Sequence, residues 1–373
     1  MVSVVSVFLS QLMFAVVILM WAGQAWSRRR LGLKAPPFFP VLLVFVAAVL
    51  IAVISSTDVV QSSVYLKKLL KLFYALFFFT FLTREDIEWT LKGIFILLGA
   101  SALLGVLQYY WLMDVTLLNR IEGFMSHWMT FSGQLMLVSV ALSGYILLQA
   151  RFGWCRAFPW SLLLGLLLFA LVLTLTRSAL VGAVVGLLVI AAFYRPKWLF
   201  PAGAALVMIF LVLPASFKER FYSSFDLKDV TTQGRLEYVY TGTRVISEHP
   251  ITGLGPRMFS RLYDEYRASS DLPDWAYQHL HNNFIQIAAE MGLLAFFAWA
   301  ALWGRIYWDL FRFARSAEDP FAIYLSVNGM GVLTAFLFAG LFEYNFGDSE
   351  LLILLLFFVT VPYAVNLRQT TPA

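Results

Sequence analysis

The sequence predicts an all-α polytopic integral membrane protein, with about 11 transmembrane helices and one large, partly helical polar segment. Three observations carry this. The chain has 373 residues, of which 61% are apolar and only 13% charged, against roughly 25% charged in an ordinary soluble domain. Apolar runs of roughly 18 or more residues read as membrane spans, and such runs recur along the whole chain. The runs are continuous, whereas the strands of a membrane β-barrel alternate polar and apolar residues.

In chain order the spans are 4–26, 37–56, 64–83, 91–112, 128–149, 159–176, 178–194, 198–214, 284–304, 321–342 and 350–367. Residues 4–26 lack the basic start and the small-residue cleavage site of a signal peptide, so they read as a first span. Orientation follows from Lys and Arg in short loops. Arg28, Arg29, Arg30 and Lys34 place the first loop in the cytoplasm and the N-terminus outside. The loops with Arg151 and Arg156, with Arg195 and Lys197, and with Arg305, Arg312 and Arg315 then fall inside as well. Lys67, Lys68 and Lys71 are the exception, near the outer end of the third span. They either snorkel at an interfacial turn or contact an anion from an aqueous cavity.

This divides the chain into 1–214 with helices 1–8, a large outer loop at 215–283, and 284–373 with helices 9–11 and a cytoplasmic C-terminus. Within the outer loop, GRLEYVYTGTRVISEH (residues 234–249) reads as helix. Leu236, Val239, Tyr240 and Thr243 recur at helical spacing, and Pro250 ends it. The single Cys155 allows no internal disulfide and no thiolate metal cluster. The net charge of +5 suits membrane lipid as a partner and calls for no nucleic acid.

Ionisable groups near an apolar zone are functional candidates by default, and here they gather on the outer side. Arg177, in LTLTRSALVG, sits between two apolar runs. There it can clamp a phosphate bidentately or bind a lipid headgroup. Arg235 opens the candidate outer helix, where Thr231, Thr232 or Gly234 would cap the helix and free N–H groups would favour an anion. The alternative is a solvated pair with Glu237 or Glu248. Arg244 lies deeper in the same helix. His279 and His281 flank Leu280 and face the same way in an extended lead-in. A neutral imidazole there can act as a general base, and zinc would need further ligands than this pair provides. Asn282 and Asn283 are helix-capping types. Glu343, Asp348 and Glu350 lie in the last outer turn, to orient a basic residue or cap the final span. RIEGFMSHWMTFSGQ adds Arg120 and His127 to the same face.

The stretch HLHNNFIQIAAEMGLL resembles the motif of the bacterial O-antigen ligase family, within the O-antigen ligase/polymerase superfamily. That motif is His, then Asn, Ser or Gln, nine residues, Gly, two residues, then Gly, Thr or Tyr. His281, Asn282 and Gly292 fit, and Ala295 departs at the last position. TLTRSALVG, GRLEYVYTGTRVISEHPITGLGPRMF, GFMSHWMTFSGQL and FEYNFGDSEL resemble further family segments, so the likeness covers about residues 117–360. Family members are described with twelve spans, one more than are read here.

The resemblance implies a GT-C-like membrane glycosyltransferase in a bacterial inner membrane, with its site facing the periplasm. The donor would be a glycan on undecaprenyl diphosphate, and the acceptor a sugar hydroxyl of the lipid A–core in lipopolysaccharide biosynthesis. The reaction would need no metal or other cofactor and would invert the anomeric centre. By position, Arg177 and Arg235 would hold the diphosphate and His281 would take the acceptor proton. His279, Asn282, Arg120, His127, Arg244, Glu343 and Asp348 are candidate supporting groups. Other glycan-assembly membrane proteins are candidate partners. Two rivals stay open. An O-antigen or exopolysaccharide polymerase would use the same donor. A lipid-linked glycan transporter would place its charges at mid-membrane in two related halves.

Overall fold

The computed structural model describes residues 32–112, 119–194, 230–267 and 278–368, together with Trp21 and Gly23. The expected spans 4–26 (apart from those two residues) and 198–214 lie outside the described residues. The described residues are helical, with no strand among them. The elements are α1 (Phe39–Ile54), α2 (Val59–Ser63), α3 (Leu66–Leu72), α4 (Tyr74–Phe81), α5 (Arg84–Leu107, with a π-turn to Leu112), α6 (Trp128–Ala150), α7 (Trp154–Leu173), α8 (Arg177–Tyr194), α9 (Val230–Glu248), α10 (Phe259–Tyr266), α11 (Asn283–Ser316), α12 (Pro320–Ala339) and α13 (Ser349–Arg368). Seven of these, α5 to α8 and α11 to α13, are long and apolar enough to cross a membrane, and α1 is a shorter apolar helix. The protein is therefore polytopic and all-α.

Helices α6, α12 and α13 are the most enclosed. Around them the packing is set by small residues, as expected where lipid removes the hydrophobic drive between helices. A Cβ on Gly182 of α8 would stand 2.9 Å from the Ala335 carbonyl, and one on Gly186 would stand 2.8 Å from the Gly331 carbonyl. This Gly-x-x-x-Gly face lets α8 and α12 meet backbone to backbone.

At the end away from the candidate site, Arg84 forks onto Asp319 at 2.6 and 3.1 Å. Asp319 also caps α12 through Phe321 and Ala322. Thr83 and Asp86 form a capping box that starts α5 at Arg84, seven residues ahead of the expected span. Arg305 and Tyr363 both donate to Asp309, joining α11 to α13.

One expected span is corrected. Residues 64–83 are not one span. The helix breaks at Phe73 into α3 and α4, and α4 is only 8 residues long, about 12 Å of helix. The cause lies in LKKLLKL. Lys68 turns to a polar cavity, and Lys71 donates to Ser349 at the start of α13, so α3 stays at the outer rim. The outer helix forms as expected before Pro250, and the apolar residues that revealed its spacing are not the ones it buries. Leu236, Val239 and Tyr240 are exposed, while Tyr238, Thr241 and Val245 are buried. Tyr238 is drawn in by stacking on His281, and Thr241 donates to Glu237 at 3.0 Å beneath it.

Candidate functional site

The site is built where α11 begins. Asn282 caps the helix, its Oδ1 accepting from Phe284 and Ile285 N–H at 2.8 and 3.1 Å, while its Nδ2 donates to the Leu341 carbonyl. Asn283 faces the other way. Its N–H donates to the Gly340 carbonyl at 2.7 Å, its Nδ2 donates to Asn345 and its Oδ1 accepts from Phe346 N–H. The Asn pair therefore fastens the His-containing lead-in to the outer turn between α12 and α13. Such buried, fully satisfied amide networks fix one geometry.

A second fastening comes from the outer segment. The residues after Pro250 run beside α11, with Leu254 N–H donating to the Ala289 carbonyl, Gly255 N–H to the Glu290 carbonyl, and Leu293 N–H to the Pro250 carbonyl. To accept them α11 breaks at Gly292, which takes φ 78° and ψ 169°. A Cβ there would stand 2.0 Å from the Ile251 carbonyl oxygen. This is the physical content of the glycine in the motif. Ala295, at the departing position, is fully buried in the core. Gly292→Ala is expected to undock the loop and cost roughly 1–3 kcal/mol, read as a lower unfolding temperature in detergent together with faster proteolysis of the 250–267 segment. An unchanged melting curve would refute this role.

His281 itself holds a left-handed φ of 46°. Its ring stacks on Tyr238 at 5.2 Å, and its Nδ1 lies 3.1 Å from Glu343 Oε2. Burial works to raise the Glu343 carboxyl, but the His281 hydrogen bond and the neighbouring imidazoles outweigh it and hold it below the usual carboxylate range. An ionised Glu343 can only accept, so Nδ1 carries the proton and donates. That tautomer leaves the Nε2 lone pair available, and Nε2 makes no hydrogen bond among the described residues.

His279 sits against His281, with ring centroids 4.1 Å apart and its Nε2 3.9 Å from Glu343 Oε1. Burial, then the closeness of the His281 imidazole, push its pKa from 6.5 down to about 4. Between these values the unfolded chain binds a proton that the folded chain does not, so stability should fall as pH drops from 6.5 toward 4. His279→Asn is expected to flatten that slope in thermal melts across the window; an equal slope would exclude His279 as its source.

A cavity of about 600 Å³ opens beside this pair. His279, Glu343 and Asp348 line it, as do His127, Lys68 and Arg257. Asp348 accepts from Thr130 Oγ1 and also caps α13 through Glu350 and Leu351 N–H. His127 caps α6 and stacks on Trp128, over whose ring Arg120 also lies.

Of the two expected arginines, neither lines the cavity itself. Arg177 opens α8 between Thr176 and Ser178, which do line it. Arg235 lies over the Phe342 ring at 5.7 Å, next in sequence to Glu343. The described helix carrying Arg235 is Val230–Glu248, so Thr231, Thr232 and Gly234 already lie inside it. Arg235 therefore does not open the helix, contrary to expectation. Arg244 pairs with Glu248 at 3.1 Å and lies over Tyr266, apart from the cavity.

Three groups were missed. Arg257 was hidden in the glycine turn, Glu290 inside an apolar run, and Gln286, whose Oε1 accepts from Leu280 N–H, looked like an ordinary helix residue. The one cue to Glu290 was an acid within a span.

Helices of membrane length around a polar, His- and carboxylate-bearing cavity define a polytopic membrane protein with a polar pocket among its helix ends. The comparisons make this particular. The family described as O-antigen ligase matches residues 162–300, so the resemblance read from the sequence holds over the segment that carries Arg177, Arg235, His281 and Gly292. One solved structure, reported as "Structural coordination of polymerization and crosslinking by a peptidoglycan synthase complex", is similar in fold, with a TM-score of 0.51 and 18% identity over 90% of this chain and 98% of that chain. No curated protein matches. The protein is a multi-pass membrane protein with a segment similar to the O-antigen ligase family.

Proposed function

We propose that the protein is an O-antigen ligase that moves a glycan from undecaprenyl diphosphate to a sugar hydroxyl of the lipid A–core, on the periplasmic side of a bacterial inner membrane. The observation that carries this reading is the match of residues 162–300 to the ligase family, with its motif histidine hydrogen-bonded to Glu343 beside the cavity.

The reaction follows from the groups in place. His281 Nε2 takes the acceptor proton as the hydroxyl oxygen attacks the anomeric carbon, with Glu343 holding the tautomer and balancing the imidazolium that forms. The bond from that carbon to the diphosphate breaks on the opposite face, giving inversion. The charge that builds on the leaving diphosphate is met by Arg177 and Arg235, which can fork onto phosphate oxygens. Lys68 and Arg257, on the cavity wall, add to the positive field. Side-chain cations can supply this stabilisation without a divalent metal. An apolar groove of about 360 Å³ along α11, lined by Phe284, Trp299, Trp303 and Trp308 among others, suits a polyprenyl chain. Both substrates are lipid-anchored, so the membrane plane supplies much of the proximity.

The test is transfer by purified protein, in EDTA, from undecaprenyl-diphosphate glycan with and without lipid A–core. Glycan on the lipid A–core at an undiminished rate supports a metal-free ligase. Elongation on the donor's own carrier identifies a polymerase instead, and activity lost in EDTA but regained with a divalent metal refutes the metal-free mechanism.

A further inference from the structure

The transfer leaves His279 without a part, yet of the His279–His281 pair it is the imidazole that lines the cavity. His279, His281 and Glu343 each offer one ligand atom, and these three atoms lie within 4.8 Å of one another. The sequence supplies only the His-x-His pair. The third donor arrives from 62 residues away, on the outer turn.

We propose that these three side chains form a binding site for a zinc-class divalent ion, and that the bound ion switches the transfer off. Two imidazoles and a carboxylate are a recurrent zinc donor set, with the remaining position open to water. Donors on a tetrahedral zinc stand about 3.4 Å apart, from bond lengths of roughly 2.1 Å. The two His-to-carboxylate separations here, 3.1 and 3.9 Å, bracket that spacing, so small side-chain shifts complete the geometry. The donors are also held in place. His281 is fixed by its backbone and by Tyr238, and Glu343 Oε1 accepts from Tyr344 N–H. The cavity gives an ion its way in.

The block follows from the tautomer, and this half of the proposal rests on the function proposed above. Unliganded, His281 donates through Nδ1 to Glu343 and keeps Nε2 basic. An ion on Nδ1 takes that lone pair, so the ring, still neutral, carries its proton on Nε2. Nε2 then donates where it must accept, and Glu343 is held by the ion.

The experiment uses full-length protein in detergent, stripped with EDTA and freed of chelator. Zinc is titrated by calorimetry, and cobalt is followed by its ligand-field absorption. One ion per chain is expected. His279→Gln and Glu343→Gln, both near-isosteric, should weaken binding at least about tenfold, while His249→Ala, whose ring bonds Tyr266, should not. Wild-type transfer should fall in step with zinc occupancy and recover on adding EDTA. Absence of saturable binding, or equal affinity in the two Gln variants, overturns the site. Full occupancy with undiminished transfer, or transfer that requires zinc, overturns the block. A chain that transfers nothing even in EDTA refutes the assigned reaction instead, and the zinc titration still decides the site.

Discussion

His281→Ala is expected to lower glycan transfer by about 10²–10⁴-fold, the usual weight of a positioned general base, while the chain still inserts and folds. The fold should survive because the fastenings at this point belong to Asn282 and Asn283, not to the imidazole. Alanine is poorly suited to the left-handed backbone at His281. His281→Asn is therefore the cleaner variant, since asparagine tolerates that conformation and its amide is no base. Glu343→Gln should fall between wild type and these variants. The amide can still accept from Nδ1, but it neither balances the imidazolium nor enforces one tautomer. Wild-type product from His281→Asn at matched protein level would remove His281 as the base and leave His279, on the cavity wall, as the group to test next.

The second large effect is expected at the arginines. Arg177→Lys and Arg235→Lys each keep the charge and lose the planar fork, and a loss of roughly 10²–10³-fold in turnover is expected for each if the fork meets charge in the transition state. Measured against donor concentration, the loss should appear mainly in turnover rather than in half-saturation, because charge on the diphosphate grows as its bond to the sugar breaks. Near-native rates in both variants would dismiss the clamp and direct attention to Lys68 and Arg257, the cations that line the cavity.

Long apolar runs made most of the described spans legible, because a bilayer leaves few alternatives to a helix of about twenty apolar residues. What the runs concealed were breaks. Phe73 ends α3 two residues after Lys71, at a point where apolar residues run on, and Gly292 interrupts α11 where its neighbours Met291 and Leu293 read as ordinary span. A break of this kind is decided by what docks against the helix, and the docking partner lies about forty residues earlier. At the site, residue types and relative sidedness were legible. Partners were not, since nothing local in HLHNN points to Glu343, and the spacing in residues 234–249 gave a helix but not its buried face, which Tyr238 sets by stacking on His281. Lys68 was noticed as an anomaly in a span, and its place on the cavity wall explains the anomaly.

The two fastenings around His281 differ in when synthesis can complete them. The loop after Pro250 leaves the ribosome before α11, so its backbone bonds to Ala289, Glu290 and Leu293 can close as soon as that helix is made. The partners of Asn282, Asn283 and His281 lie at residues 340–346, beyond the whole of α12. A nascent chain that has inserted α11 therefore holds its histidine in a shaped but incomplete setting, without the carboxylate that fixes the tautomer. The site is complete only with the last hairpin, so, on the function proposed above, a chain truncated before residue 343 would be inert in the membrane.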